Sequence, residues 1–506
     1  MRATLDAVRR PPDAGLMARF MSWVDHRLNP FFVKDIRSWL RSKKFLAIFF
    51  VALASCMVVT IMIIVDGESG RTLFSVLVTG LAMVLVGVVP YLMQDKFADE
   101  LASGSTELAM ISRMTPGRMV RGKILSGLVA NLLFFSALGP SVLIAYMLGG
   151  VHPFIMAYIL MSVSALSALS MILAIVVVTI VGRRPVKVLS LALFGVGFGA
   201  AAMMAGISEE SNTHRMFASD EFWYVNLLLG GEALLGGLFL YSVSVSRLSF
   251  ASANRDLLPR LTLSIWTLLH LLIGFGAVLI REHVFQETGD ADDISEIAIV
   301  LATLAFTAGF FLLNGTAEGL SRRLLKTGHS RMSAWFLLPG QGRLYFYVMV
   351  HFGVLTIAAM YYFFNVRHGR NGITFVAFVF AAYYLISGTY LGYRLVDRYI
   401  FKQQHPPVTM SMAIIAAIWM VWGTLLSAIF GRDAELLLVS SPASAFYWVA
   451  EEKQAHVLAT IVALTSPCWA TASILWIRAF IRRNNTPQPD GQPVETTPDS
   501  TSGGDD

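Results

Sequence analysis

Charged residues are scarce in this chain: they make up 14% of its 506 residues, while 56% are hydrophobic. An ordinary soluble domain carries about 25% charged residues. Cysteine is scarcer still, because the chain has only Cys56 and Cys468, and both lie in apolar stretches. Two such cysteines cannot build a disulfide framework or a cysteine metal site. The composition therefore excludes a water-surrounded globular domain, and its many apolar residues exclude a disordered chain.

Motifs of enzymatic chemistry are also missing. The ten histidines form no His-Glu-x-x-His metal pattern, and no Gly-x-Ser-x-Gly nucleophile elbow occurs. The nearest approach to a nucleotide-binding loop runs from Gly117 to Ile124. It has isoleucine where magnesium binding needs serine or threonine, and no strand precedes it. We therefore expect no catalytic residue, no metal site and no bound cofactor in this chain.

Long apolar runs are what the sequence has in abundance. A helix that crosses a bilayer needs about 20 mostly apolar residues. Windows of this length predict an all-α polytopic membrane protein with about 12 transmembrane helices, since the runs are too long for barrel strands and do not alternate. The predicted spans are 45–65, 72–93, 124–148, 154–181, 186–207, 222–245, 261–280, 297–315, 344–364, 373–393, 408–430 and 457–477.

The basic residues are distributed unevenly between the two sides of these spans. If the N-terminus is cytoplasmic, 32 of the 39 Lys and Arg residues lie in inside segments or, for Lys187, at the inside end of a span, and 7 lie in outside loops. This asymmetry follows the positive-inside rule. We therefore expect a multi-pass protein of the cell membrane (the inner membrane of a bacterium) with both termini in the cytoplasm. The net charge of +6 is then an orientation signal, and no nucleic-acid partner is implied.

Four segments are expected along the chain. Residues 1–44 form a cytoplasmic segment with an amphipathic elbow helix, and residues 45–245 form a six-helix unit. Residues 246–480 form a second six-helix unit, and residues 481–506 form a disordered cytoplasmic tail rich in Pro, Ser, Thr and Asp. A long inside segment follows the second span of each half, which favours a 6+6 tandem repeat. The alternative is an unrelated six-helix extension of a six-helix protein.

Glu232 is the one carboxylate placed well inside a predicted span. A charged side chain at the bilayer centre costs about 2.5–3.5 kcal/mol on insertion scales. Two interpretations are equally open. Glu232 is either part of a transport or proton pathway, or a buried carboxyl that is hydrogen-bonded across a helix interface.

The inside segment 94–123 ends in a predicted Pro-Gly turn before a basic helix start. It contains Glu100, Gly104, Glu107, Thr115, Pro116, Gly117, Arg118 and Lys123, and the stretch before the first span contains Asn29, Pro30, Asp35 and Arg37. In these residues and in the spacing of the first six spans, the chain resembles the ABC-2 type transporter permease family, whose members have an elbow before the first membrane helix. The resemblance covers about residues 29–245.

The resemblance implies a permease subunit, an exporter of unidentified substrate, whose cytoplasmic loops seat separate ATP-binding subunits. ATP and magnesium would then be bound by those partners, and residues 94–123 would form the coupling loop. A second coupling loop is expected over residues 316–343, with Glu318, Pro339, Gly340 and Arg343. The alternatives are a twelve-helix secondary transporter driven by an ion gradient, or a membrane scaffold that transports nothing.

Overall fold

The computed structural model describes residues 30–106, 111, 114–149, 151–181, 199, 220–250, 254–280, 288–313, 341–365, 370–399, 415–416 and 474. Within these ranges the regular structure is helical, and no strand is present. Residues 1–29 of the predicted N-terminal segment, almost all of spans 186–207, 408–430 and 457–477, and the C-terminal tail lie outside the described residues.

Nine predicted spans coincide with helices in the described ranges, and a further short helix precedes the first of them. In chain order the helices are α1 (Pro30–Leu40), α2 (Lys43–Val65), α3 (Gly70–Ala102), α4 (Pro116–Met147), α5 (Pro153–Val181), α6 (Asp220–Leu248), α7 (Leu257–Ile280), α8 (Thr288–Leu313), α9 (Gln341–Asn365) and α10 (Arg370–Tyr399). Five of them, α2 to α6, contain stretches long and apolar enough to cross a membrane. The described chain is therefore all-helical, as expected for a membrane protein.

Helix α2 presents a large apolar surface to its surroundings. Phe50, Val51 and Val65 are 60%, 65% and 78% exposed. Soluble monomers rarely expose contiguous apolar patches of this kind, whereas lipid tails are as apolar as these side chains. The outer face of α2 is therefore suited to contact with lipid.

The described helices form two compact units. The first contains the described residues up to Leu269, together with Leu312 and Leu313. In this unit α4 packs against α1, α2, α3, α5 and α6, and α5 also packs against α3 and α6. The second unit contains the described residues from His270 to Phe311 and helices α9 and α10, which pack on each other.

The inside segment 94–123 is mostly helical where a long connector was expected. Helix α3 continues to Ala102, and α4 already begins at Pro116. The predicted Pro-Gly turn is wrong, because Pro116 and Gly117 form the first turn of α4. The physical reason is that proline at the first helical position lacks only an N–H that would be unpaired there, and its fixed φ suits the helix. Thr115 precedes it in extended conformation, as an N-cap residue does.

Helix α3 is interrupted by a π-helical segment, Met83–Val88, that ends just before Pro90. The Val89 N–H bonds to the carbonyl of Val84, five residues back. If the pattern continued, the Leu85 carbonyl would pair with the nitrogen of Pro90, which carries no hydrogen.

A buried side chain from α5 replaces the missing donor. The Ser167 hydroxyl donates to the Leu85 carbonyl oxygen at 2.6 Å, and Ser167 in turn accepts a hydrogen bond from the Asn131 amide of α4 at 2.9 Å. Ser167 and Asn131 are buried. The backbone irregularity introduced by Pro90 thus ties α3 to α4 and α5.

Replacing Ser167 by alanine tests this tie. Ser167→Ala leaves the Leu85 carbonyl buried without its donor, so we expect a loss of about 1–3 kcal/mol of stability. Unfolding by SDS in detergent micelles measures it. Ser164→Ala is the matched control, because the Ser164 hydroxyl donates to Leu160 of its own helix. Equal stability of the two variants would contradict the assignment.

Candidate functional site

Four charged side chains meet where α1, the end of α3 and the beginning of α4 come together. Lys123 of α4 is at the centre, with its Nζ 2.7 Å from Glu100 Oε2 and 3.3 Å from Asp35 Oδ2. The other oxygen of Glu100, Oε1, lies 3.0 Å from Lys34 Nζ. The side chains of Lys123, Asp35 and Glu100 are only 3%, 9% and 18% exposed. We call these four residues the Lys123 cluster.

Helix α1 brings Asp35 to this position by its amphipathic pattern. Phe31, Asp35 and Trp39 recur every four residues and are buried, whereas Lys34 and Arg37 are exposed. Residues four apart lie on one face of a helix. The apolar face of α1 therefore lies on α4, with a carboxylate in its middle.

Apolar surroundings make the cluster electrostatically strong. Lys123 Nζ lies 4.7 Å from the centroid of the Phe97 ring, and Phe97 is buried. Met119 and Val120 on the preceding turn of α4 are also buried. Ion pairs shielded from water interact far more strongly than exposed pairs, but their charges must be compensated. Two carboxylates and two ammonium groups balance in the cluster.

The protonation of Asp35 reflects this burial. Desolvation raises the pKa of the Asp35 carboxyl, against the attraction of Lys123, and the neighbouring charge of Glu100 adds to the rise. The folded protein therefore bears an energetic penalty for keeping Asp35 ionised.

Two further lysines make contacts between α1, α2 and α3. Lys96 Nζ of α3 lies 5.0 Å from the Trp39 ring centroid, and Lys44 Nζ of α2 lies 3.1 Å from Asp95 Oδ2. The Lys44 and Asp95 side chains are 71% and 39% exposed. This outer pair is solvated, in contrast to the Lys123 cluster.

The structure brings together Asp35 of the predicted elbow with Glu100 and Lys123 of the predicted coupling loop. Arg37 and Arg118 are exposed, and Gly117 lies against Tyr241, whose hydroxyl donates to the Gly117 carbonyl at 3.3 Å.

Gly104 and Thr115 lie near the two ends of the short connection between α3 and α4. Gly104 follows α3 with a φ of 69°, a conformation that glycine adopts readily, and Thr115 precedes α4. The predicted residues Asn29, Glu107, Glu318, Pro339 and Gly340 lie outside the described residues. Pro30 and Arg343 belong to α1 and α9, but their side chains are outside the description.

The sequence did not predict the ion pair of Lys34 with Glu100. It also did not predict the hydrogen bonds that join Leu85, Ser167 and Asn131. The signals were a lysine beside Asp35 in the elbow and a proline inside an apolar span. Neither indicates which distant residue is the partner. Among the described residues, no group of three His, Cys, Asp or Glu could hold a metal ion.

Glu232 lies half-buried in α6 and accepts a hydrogen bond from the Trp266 indole of α7 at 3.0 Å. Gly236, one turn further along α6, lies against the indole ring, and a Cβ there would be in ordinary van der Waals contact with it at 3.4 Å. This geometry favours the interpretation of Glu232 as a carboxyl bonded across a helix interface.

Comparisons of the chain with protein-family models, with curated proteins and with solved structures found no match.

Removing the central cation tests the cluster. Lys123→Met removes the counterion of the buried Asp35 and leaves Glu100 with Lys34 as its remaining partner, so we expect a loss of about 3–5 kcal/mol of stability in detergent unfolding experiments. Lys44→Met is the matched control, and we expect little change because its ion pair is exposed. Adding Asp35→Asn and Glu100→Gln to Lys123→Met should restore much of the loss. If this rescue fails, the loss of stability comes from lost packing and not from uncompensated charge.

The pKa of Asp35 predicts a pH dependence. Because the folded-state pKa lies above the usual 3.8, the folded protein binds this proton more tightly than the unfolded chain. Stability from this group is therefore gained as pH falls through the folded pKa and lost as pH rises through it. Compared with Asp35→Asn, the wild type should lose relative stability as pH rises from about 4. Unfolding midpoints of both proteins between acid and neutral pH measure this, and parallel curves would contradict it.

Proposed function

We propose that this chain is the membrane-spanning permease subunit of an ATP-binding cassette exporter. The observation that carries the proposal is the Lys123 cluster, which joins α1 to the two helices that flank the connection between α3 and α4. In the proposal this connection is the coupling loop on which a separate ATPase subunit docks. ATP and magnesium are bound by that partner, and this chain hydrolyses nothing.

A docking element must pass its displacement on to the membrane helices. A force on the connection reaches α3 and α4 directly, and the buried ion pairs extend it to α1. Helix α4 has 32 residues, so it is about 48 Å long at 1.5 Å per residue and reaches across the hydrocarbon core. The Lys123 cluster and α4 thus link the proposed coupling loop to both sides of the bilayer, as an alternating-access cycle requires.

The connection also offers a surface for a partner. Ile111 is 74% exposed, and Arg118 at the start of α4 is exposed as well. Arginine is enriched at protein interfaces, and an exposed apolar side chain can be buried there against a partner. Both residues belong to the proposed coupling loop.

The proposed architecture is twelve spans in a 6+6 tandem, with both termini cytoplasmic and a second coupling loop over residues 316–343. A feature at the start of the second half supports it. Arg260 Nη2 lies 2.7 Å from Asp256 Oδ2, and these side chains are 0% and 1% exposed. Like Asp35 before α2, Asp256 is a buried carboxylate paired with a cation just where a half begins.

Co-purification from the native membrane tests the function. We expect an ATP-binding subunit to accompany the wild type and to be released by Arg118→Glu or Ile111→Glu. Arg118→Lys keeps the charge, and Glu68→Arg alters an exposed charge in the turn between α2 and α3; both should retain the partner. Transport should stop on ATP depletion and survive an ionophore. The reverse pattern would favour an ion-driven transporter, and no partner at all would overturn the proposal.

A further inference from the structure

An apolar groove of about 460 Å³ lies between α2, α3 and α4. Its walls include Ala47, Val51 and Val59 of α2, Gly80 of α3 and Leu138 of α4. Val51 is 65% exposed, so the groove opens onto the apolar outer face of α2. Neither the Lys123 cluster nor the proposed coupling loop contributes to its lining.

The length of the groove matches one leaflet of a membrane. Ala47 and Val59 are twelve residues apart on one helix, which corresponds to about 18 Å at 1.5 Å per residue. Half of the hydrocarbon core of a bilayer is about 15 Å thick. A single extended acyl chain therefore fits along the groove, and its surroundings supply such chains at high concentration.

Basic residues lie at one end of the groove. Lys43 is exposed and precedes Ala47 by one helical turn on the same face of α2. Lys44 precedes the groove residue Ile48 in the same way, and its Nζ already engages the carboxylate of Asp95 at 3.1 Å. The positive charge of Lys43 is thus placed at headgroup level, directly beyond the apolar groove.

We propose that the groove binds an anionic phospholipid, with an acyl chain between α2, α3 and α4 and the headgroup phosphate on Lys43. A lysine near the membrane surface attracts anionic lipid, and basic pockets between membrane helices bind such headgroups. The proposal does not depend on an ATPase partner.

Gly80 keeps the groove open. A Cβ built on Gly80 would meet nothing within 4 Å, although glycine is a poor residue for a helix interior. A larger side chain can therefore be introduced there without a backbone clash, and it would fill the space of the acyl chain. This makes Gly80→Leu a blocking variant that should still fold.

Native mass spectrometry of the delipidated full chain in detergent tests the proposal. The protein is titrated with dioleoyl phosphatidylglycerol and, separately, with dioleoyl phosphatidylcholine. We expect Gly80→Leu to weaken binding of both lipids by about tenfold or more, which corresponds to about 1.4 kcal/mol, since the leucine side chain would occupy the space of the acyl chain. Gly230→Leu is the matched control, because Gly230 is an exposed helical glycine with equally open surroundings away from the groove.

The headgroup contact is tested by Lys43→Gln. We expect the preference for phosphatidylglycerol over phosphatidylcholine to fall by about fivefold, which corresponds to one lysine near a lipid surface. Equal phosphatidylglycerol binding by Gly80→Leu and Gly230→Leu would overturn the groove as the site. An unchanged lipid preference in Lys43→Gln would overturn the headgroup assignment. An unfolding midpoint of Gly80→Leu equal to that of the wild type shows that any loss of binding is local.

Discussion

The ion pairs of the buried Lys123 ammonium are the interaction on which the packing of α1, α3 and α4 depends. A lysine that is 3% exposed is tolerable only with compensating negative charge. Asp35 and Glu100 supply it from two other helices. The relative positions of α1, α3 and α4 are therefore fixed by one electrostatic requirement, because a shift of any of them leaves a buried charge uncompensated. The exposed Lys44–Asp95 pair imposes no such condition.

A second polar requirement acts deeper in the same helices. The hydrophobic effect gives little drive for helix association inside lipid, so packing and hydrogen bonds must select the partners. Pro90 has no hydrogen to donate to the Leu85 carbonyl, and the Ser167 hydroxyl donates to this carbonyl instead. Helix α3 is thus fixed to α4 at its end by charge and to α5 in its middle by a backbone carbonyl. Both constraints are satisfied by side chains distant in the sequence.

The sequence predicts the helices well and the contacts poorly. Apolar runs place nine spans on observed helices, because twenty consecutive apolar residues have few other stable forms in lipid. The runs do not reveal that polar residues extend α3 to Ala102 and α4 back to Pro116. In the candidate site, the resemblance pointed to Asp35, Glu100 and Lys123 separately. That they form one buried cluster could not be predicted, since pairings across 88 and 23 residues depend on tertiary packing.

The short connection between α1 and α2 lies between the Lys123 cluster and the proposed lipid groove. Helix α1 ends at Leu40 and α2 begins at Lys43, so two residues separate the helix held by the Lys123 cluster from the helix that lines the groove. A displacement of α1 must carry the start of α2 with it, because so short a connection cannot absorb it. Lys43 at that start is the residue assigned to the lipid phosphate. A bound anionic lipid would therefore resist movement of α1. Movement imposed on α1 through the proposed coupling loop would in turn weaken the lipid contact. The two effects have the same free energy, since coupling between two sites is reciprocal.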